Sequence, residues 1–383
     1  MGLGKFVAIE IGSKITKVIF GQDKKDDLLI KDYRLIENSD QIFNPDGDLN
    51  INEIHPLLKS VLKEMKVRKA DCYLTVGGKS GMVRLREMPI VKIKEMNDIV
   101  RFEAEQFLPY DIEAFYVDFR VNQLKMSVEE DHSLEEINET KEPDVAEVMI
   151  VAAPKELVDE QVILIDKLKL NIKRVDYYTD SVYCYFKKYI LDEKKNTMVV
   201  DLGSNGMKLT MFNGMQYFAN IYSEVGMSDL FERYSEQNNL TVANAKEFLL
   251  NISDENVPKQ ELESVHDKLS KLRDKLQFKK MDDRAQNSVE FEIDPKLERL
   301  YEPIAYEVAK MMEFFKTRQF GMSVDDIYVI GGGSNMNSFI DFLSYYHNIK
   351  VHELTNDRHS DQVKSSDYKL MVPVLGSLLK GGC

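Results

Sequence analysis

One short pattern occurs twice in this chain, about half its length apart, and it limits the folds open to it. Phe6 to Ile11 is apolar except for Glu10 and runs into Gly12-Ser13-Lys14, after which Ile15 to Phe20 alternates in the manner of a strand. Met198 to Leu202 is apolar except for Asp201 and runs into Gly203-Ser204-Asn205-Gly206, after which Lys208 to Phe212 returns. A strand with one acid near its end, a glycine turn and a returning strand form one architectural unit. Its recurrence predicts an α/β chain of two similar halves. The length agrees, since 383 residues exceed what a single hydrophobic core usually organises.

A third glycine run follows a strand expected over Ile327 to Ile330. It reads Gly331-Gly332-Gly333-Ser334 and opens a helix over Met336 to Tyr346. Glycine lets backbone N–H groups approach an anion without a Cβ in the way, and a helix start adds the positive end of its dipole. Each turn alone is as readily a structural feature; the combination of three carries the chemical reading. Two hairpins facing each other can hold a polyphosphate, and Glu10 and Asp201 can hold a hydrated magnesium ion. The run Gly331 to Ser334 leaves room for adenosine. If phosphate is hydrolysed, Asp201 is the candidate to orient water, with Glu10 beside it on the metal. Lys17 either points into the nucleotide cleft or is a solvated lysine at a sheet edge, and the sequence leaves both open. His55, His132, His266, His347, His352 and His359 are scattered and receive no chemistry.

Between these motifs the patterns predict a strand over Leu28 to Leu35, a helix over Asn52 to Met65 and a strand over Cys72 to Val76. A distinct segment follows. Val83 to Met88 reads as a strand ending at Pro89. Lys94 to Phe107 reads as a helix with Ile99, Phe102, Ala104 and Phe107 as its apolar side, closed by Pro109. Tyr116 to Val121 and Val148 to Ala153 read as strands, and the acidic stretch Glu129 to Glu147 as a solvated loop. Val158 to Leu170 and Asp176 to Ile190 read as helices, Phe218 to Tyr222 as a strand and Val242 to Leu249 as a helix. Leu262, Val265, Leu269, Leu272 and Leu276 form a stripe that suits an ordinary packed helix better than a coiled coil. A strand over Val289 to Ile293 and helices over Pro303 to Arg318 and Val372 to Leu379 complete the expectation.

A net charge of -14 disfavours nucleic acid and bare anionic membrane as partners. No signal peptide is expected ahead of Phe6, and the longest apolar stretch, Leu370 to Leu379, is too short to span a bilayer. Any attachment to a membrane is therefore expected to run through a partner. Cys72, Cys184 and Cys383 lack metal-ligand spacing and fit a reducing cytoplasm.

Ile9-Glu10-Ile11-Gly12-Ser13, Val200-Asp201-Leu202-Gly203-Ser204-Asn205 and Val329-Ile330-Gly331-Gly332-Gly333-Ser334 resemble the phosphate-one, phosphate-two and adenosine motifs of the superfamily of actin, the sugar kinases and the seventy-kilodalton heat-shock ATPases. Four further stretches are similar to the PilM family of type IV pilus assembly proteins, relatives of FtsA. They are Val83-Arg84-Leu85-Arg86-Glu87-Met88-Pro89, the run Phe102 to Ile112 through Pro109-Tyr110-Asp111, Tyr116-Val117-Asp118-Phe119 and Ala152-Ala153-Pro154-Lys155. The family often has a second glycine after Gly226, where this chain has Met227.

The resemblance implies an α/β, actin-like ATPase fold: two duplicated ribonuclease-H-like domains with a small α/β subdomain inserted in the first half. It places the first core subdomain at residues 1–81 and 155–195, the insertion at 82–154, the second core at 196–226 and 319–383, and a lid-like subdomain at 227–318. It implies ATP and Mg2+ as cofactors, with Gly12, Ser13, Lys14, Lys17, Gly203, Ser204, Asn205, Gly331, Gly332, Gly333 and Ser334 on the nucleotide and Glu10 and Asp201 on the metal. Turnover is implied to be slow or absent. The implied partner is the N-terminal cytoplasmic tail of a PilN-like bitopic membrane protein. It would lie in a groove near Arg84, Leu85, Arg86, Pro89, Phe102, Phe107 and Pro109, holding the protein at the inner face of the cytoplasmic membrane. The pilus motor ATPase complex and self-association are further partners the resemblance suggests. Two alternatives stand beside it. An FtsA-like filament former usually carries a C-terminal amphipathic membrane helix that Leu378 to Cys383 does not match, and a small-molecule kinase sits poorly with so charged an insertion.

Overall fold

The first glycine turn joins β1 (Lys5–Ile11) to β2 (Ile15–Lys24), antiparallel with Ile11 opposite Thr16. In this computed structural model, residues 4–24, 27–44, 47–125, 144–251, 294–319, 321–356 and 362–379 are described. The expected stripe Leu262 to Leu276, the strand Val289 to Ile293 and most of the acidic stretch Glu129 to Glu147 lie outside them. The chain divides into two compact units, Met1–Met198 with Thr210–Tyr222 and Leu354–Cys383, and Val199–Leu209 with Ser223–Glu353.

β3 (Asp27–Glu37) extends the hairpin, α1 (Ile51–Glu64) follows, and β4 (Asp71–Val76) returns to pair in parallel with β1. Period-two alternation sends Val7, Ile9 and Ile11 of β1 and Cys72, Leu74 and Val76 of β4 to one face. There they meet Ile54, Leu58 and Leu62 of α1, spaced four apart as an amphipathic helix requires. Full burial of each such aliphatic side chain contributes about 1.5–3 kcal/mol. Burial also pushes the Cys72 thiol up to about 12, so it is an inert packing group.

The insertion forms a second, antiparallel sheet. β5 (Met82–Pro89), α2 (Ile93–Glu105), β6 (Phe115–Lys125) and β7 (Val145–Pro154) give the order β5-β7-β6, with α2 packed on one face. β7 starts inside the stretch expected as acidic loop. The buried stripe of α2 is Met96, Val100 and Ala104, whereas Phe102, expected on that side, is 61% exposed. Two residues along a helix is a rotation of about 200°, which turns Phe102 away from both Val100 and Ala104.

α3 (Lys155–Lys167) leads into β8 (Asn171–Tyr177), which pairs in parallel with β4 and closes the first sheet in the order β3-β2-β1-β4-β8. Here the sequence expectation of a helix from Asp176 is corrected. Asn-Ile-Lys-Arg-Val-Asp-Tyr alternates, but its charges hide the strand, and α4 begins only at Tyr178 (Tyr178–Tyr189). Within the first unit, buried Asn122 on β6 acts as a backbone mimic. Its Oδ1 accepts from Tyr217 N–H at 3.0 Å, and its Nδ2 donates to Tyr217 C=O at 2.9 Å and to Glu147 Oε1 at 2.6 Å.

β9 (Asn196–Leu202), β10 (Met207–Asn213) and β11 (Gln216–Ser223) repeat the opening meander. After α5 (Met227–Asn238), α6 (Val242–Asn251) and α7 (Pro295–Arg318) come β12 (Asp326–Ile330), α8 (Asn337–His347) and β13 (Lys350–Glu353). The order β11-β10-β9-β12-β13 matches that of the first sheet strand for strand, so the duplication is one of topology as well as sequence. α7 starts well before Pro303, because Asp294 caps the Lys296 N–H at 2.8 Å and Pro295 suits the first turn. The last helix is α9 (Val372–Ser377).

Candidate functional site

Glu10 is the next-to-last residue of β1. Its register partners are Lys17 on β2 and Thr75 on β4, and Thr75 in turn faces Asp176 on β8. Lys17, Glu10, Thr75 and Asp176 therefore form one row across four strands. Thr75 and Asp176 are also next to last in their strands, so the row lies at the carboxyl ends of three parallel strands. Open α/β sheets take their ligands at such ends.

Lys17 sits on an inner strand and donates to Glu10 Oε1 at 2.8 Å, with its side chain 14% exposed, so it is not a solvated edge lysine. The second oxygen, Glu10 Oε2, and Thr75 Oγ1 are buried without a hydrogen-bond partner among the described residues. An orphaned buried polar atom costs about 1–3 kcal/mol. The turn beyond is braced by Asn38. Gly12 N–H donates to Ile15 C=O at 3.2 Å, Asn38 Nδ2 donates to Gly12 C=O at 2.7 Å, and Asn38 N–H donates to Lys14 C=O at 2.9 Å. Asn38 Oδ1 accepts from Thr16 Oγ1 at 2.9 Å. Ser13 is half-exposed, and Lys14 reaches Asp40, holding that carboxyl below its usual range.

Asp176 accepts from Arg174 Nε at 2.7 Å, yet burial outweighs that pairing and raises its pKa to about 6. Asp180 nearby raises it further, while Arg120, which forks onto Asp180 at 2.6 and 2.9 Å, opposes the rise. A carboxyl whose folded pKa lies above its unfolded value stabilises the fold fully below pH 3.8, and that contribution is lost as pH rises through about 6. Asp176→Asn carries no such charge. Its stability relative to wild type is expected to improve by about 2 kcal/mol between pH 4.5 and 7.5. Urea denaturation at the two pH values measures this, and an equal difference at both would show that Asp176 is not charging in that window.

In the second unit Asp201 is likewise next to last in its strand, β9, and Gly203 N–H donates to Gly206 C=O at 3.0 Å. This is the bond that Gly12 makes to Ile15 in the first copy. The start of α5 lies on this turn, with Met227 N–H donating to Gly203 C=O and Ser228 N–H to Ser204 C=O, both at 2.9 Å. A side chain at Gly226 would meet Gly206 N and Ser204 O at 2.4 Å, so the backbones touch directly there. The third run packs on the same place. Gly331 has φ 75° and ψ -167°, a backbone that essentially only glycine adopts, and a Cβ on it would stand 2.0 Å from Asp201 Oδ1. Gly332 abuts Met227 Sδ and Gly333 abuts Leu202, while Ser334 Oγ donates to Gly331 C=O at 2.6 Å.

Asp201, Gly203, Ser204 and the run Gly331 to Ser334 are thus gathered in one unit, with Asn205 exposed at the turn. Glu10, Gly12, Ser13, Lys14 and Lys17 belong to the other. Among the described residues no three acid, histidine or cysteine side chains gather as a metal site. Magnesium bound through one or two carboxylates, phosphate oxygens and water needs no such group, and the orphaned Glu10 Oε2 fits that mode.

On the insertion, Arg84 and Arg86 share one face of β5 and both stack near Phe107, their guanidinium carbons 6.0 and 5.6 Å from its ring centre. Arg86 Nε also lies 3.4 Å from Glu103 Oε2 on α2. Leu85 projects from the opposite face of the strand. Pro89, Phe102, Pro109 and Tyr110 are exposed. Sequence reasoning missed Thr75 and Asp176. Only strand register reveals them, and the one available signal was the faint alternation of Asn171 to Tyr177.

A family model for type IV pilus assembly protein PilM matches residues 8–248. No curated protein matches the chain. Among solved structures, that of a PilM–PilN type IV pilus biogenesis complex is similar with a TM-score of 0.72 at 17% identity, covering 100% of this chain and 98% of that one. The ethanolamine utilization protein EutJ from Carboxydothermus hydrogenoformans is similar with a TM-score of 0.52 at 9% identity, covering 98% of this chain and 89% of that one. At these identities the likeness is one of fold.

Proposed function

Because this chain belongs to the PilM family of type IV pilus assembly proteins and has the actin-like ATPase fold, we propose that it is an ATP-binding scaffold of the pilus assembly platform. The observation that carries the nucleotide reading is the duplicated turn. Each copy ends a strand with a carboxylate in the next-to-last position and closes a hairpin through the same glycine N–H bond. Gly12 and Gly203 close the two turns through their own N–H groups and, lacking a Cβ, let the backbone approach phosphate. Ser13, Lys14, Ser204 and Asn205 supply the donors, and Gly331 to Ser334 border the adenosine. Glu10 and Asp201 serve the magnesium ion, which when bound neutralises phosphate charge. Lys17 holds Glu10 in place.

The partner is the cytoplasmic tail of a PilN-like membrane protein, taken up beside Arg84, Arg86 and Phe107. Two guanidinium groups beside one aromatic ring suit a short peptide with apolar side chains and a carboxylate. Such a tail would hold the protein at the inner face of the membrane; no helix among the described residues is long and apolar enough to cross a membrane. Nucleotide and tail then influence each other through whichever conformation both favour. Calorimetry with Mg2+–ATP and with a synthetic copy of the tail tests this. Tail binding that changes with ATP is expected, and absence of tail binding both with and without ATP removes the scaffold reading.

A further inference from the structure

The row Lys17–Glu10–Thr75–Asp176 holds two polar atoms that the fold itself does not use. Glu10 Oε2 and Thr75 Oγ1 are buried and unpartnered among the described residues, and the residues that carry them are 8% and 1% exposed, so bulk water does not serve them. They are register partners on adjacent parallel strands, so both side chains leave the same face of the sheet, about 4.8 Å apart at the backbone. One small group can reach both. Lys17 occupies only Oε1, and Asp176 at the end of the row is engaged by Arg174.

The missing group must donate to a carboxylate and exchange a hydrogen bond with a hydroxyl. A free anion is repelled by Glu10. A water held on a divalent cation meets both needs, since the cation strengthens the water as a donor while the hydroxyl fixes its direction.

We propose that Thr75 is a positioning residue for the divalent cation that accompanies the nucleotide: its hydroxyl and Glu10 Oε2 together hold one water of the cation's hydration shell. This rests on the nucleotide reading above and deepens it, adding a residue that neither glycine turn contains.

The experiment compares wild type, Thr75→Val and Thr75→Ser. ATP affinity is measured by calorimetry in Mg2+ and in EDTA, and thermal stability is measured without nucleotide. Valine keeps the shape and removes the hydroxyl. Thr75→Val is expected to melt no lower than wild type, because the lost hydroxyl has no protein partner among the described residues. Its ATP affinity in Mg2+ is expected to fall about tenfold, the worth of one charge-assisted hydrogen bond, and to stay unchanged in EDTA. Thr75→Ser is expected to keep wild-type affinity in Mg2+. The inference is overturned if Thr75→Val binds Mg2+–ATP as tightly as wild type, or loses affinity equally in Mg2+ and EDTA. A lower melting temperature of Thr75→Val would show a protein partner for the hydroxyl and overturn it as well. If wild type itself binds no ATP in either condition, the nucleotide reading fails and this inference falls with it.

Discussion

Gly331→Ala is expected to weaken ATP binding by about a hundredfold. Two effects combine. The residue adopts φ 75° and ψ -167°, where any side chain strains the backbone by about 1–3 kcal/mol. The added Cβ would also stand 2.0 Å from Asp201 Oδ1, so either the glycine turn backs away or the carboxylate rotates. Both motions separate the two motifs that the second unit holds together. Gly321→Ala supplies the control. It has φ 87° but nothing within 4 Å of the would-be Cβ, so it carries strain without collision. It is expected to lose about 1 kcal/mol of stability and to keep its ATP affinity. Calorimetry on both variants decides the matter. Equal ATP affinities in the two would mean that the contact between Gly331 and Asp201 has no part in binding.

The repeated turn was legible in the sequence because its signal is local. An apolar run interrupted by Glu10 or Asp201 and closed by glycine specifies a strand, a turn and a hairpin with no knowledge of the rest of the chain. The matching strand orders of the two sheets follow from that repeat. What could not be read depends on which strand lies beside which. Thr75 is one threonine among apolar neighbours until parallel pairing sets it next to Glu10. Asp176 looked like the first turn of a helix, because Lys173 and Arg174 break the apolar pattern that would mark β8. The same limit applies to α2. Its hydrophobic residues are numerous enough to draw more than one face, and packing against Val148 and Ile150 selects Met96, Val100 and Ala104. That choice leaves Phe102 in solvent.

Lys17 illustrates a third kind of limit. The sequence offers a cleft lysine or a solvated one. The structure instead makes it the ion-pair partner of the acid expected to serve the metal. A side chain's pairing is set by register, here Glu10 opposite Lys17, and a one-residue slip would send them to opposite faces. The pair leaves Oε2 without a partner among the described residues, so Lys17 fixes one oxygen of Glu10 while the other can still hold a water of the cation.

Arg86→Glu is expected to lower affinity for the PilN-like tail by at least about thirtyfold, the effect of losing a central arginine at an interface. Folding should change little. The Arg86 contact with Glu103 is half-exposed at 3.4 Å, and such pairs contribute about 0–1 kcal/mol. Phe107→Ala should weaken the tail about tenfold by removing the ring on which both guanidinium groups rest. The decisive comparison is the swap Arg86→Glu with Glu103→Arg. It restores opposite charges between β5 and α2 but moves the guanidinium off the strand. If Arg86 itself contacts the tail, the swap stays defective in calorimetry while melting like wild type. If Arg86 acts only by pinning α2, the swap recovers binding, and the groove must be sought instead on the exposed side of α2 around Phe102 and Tyr110.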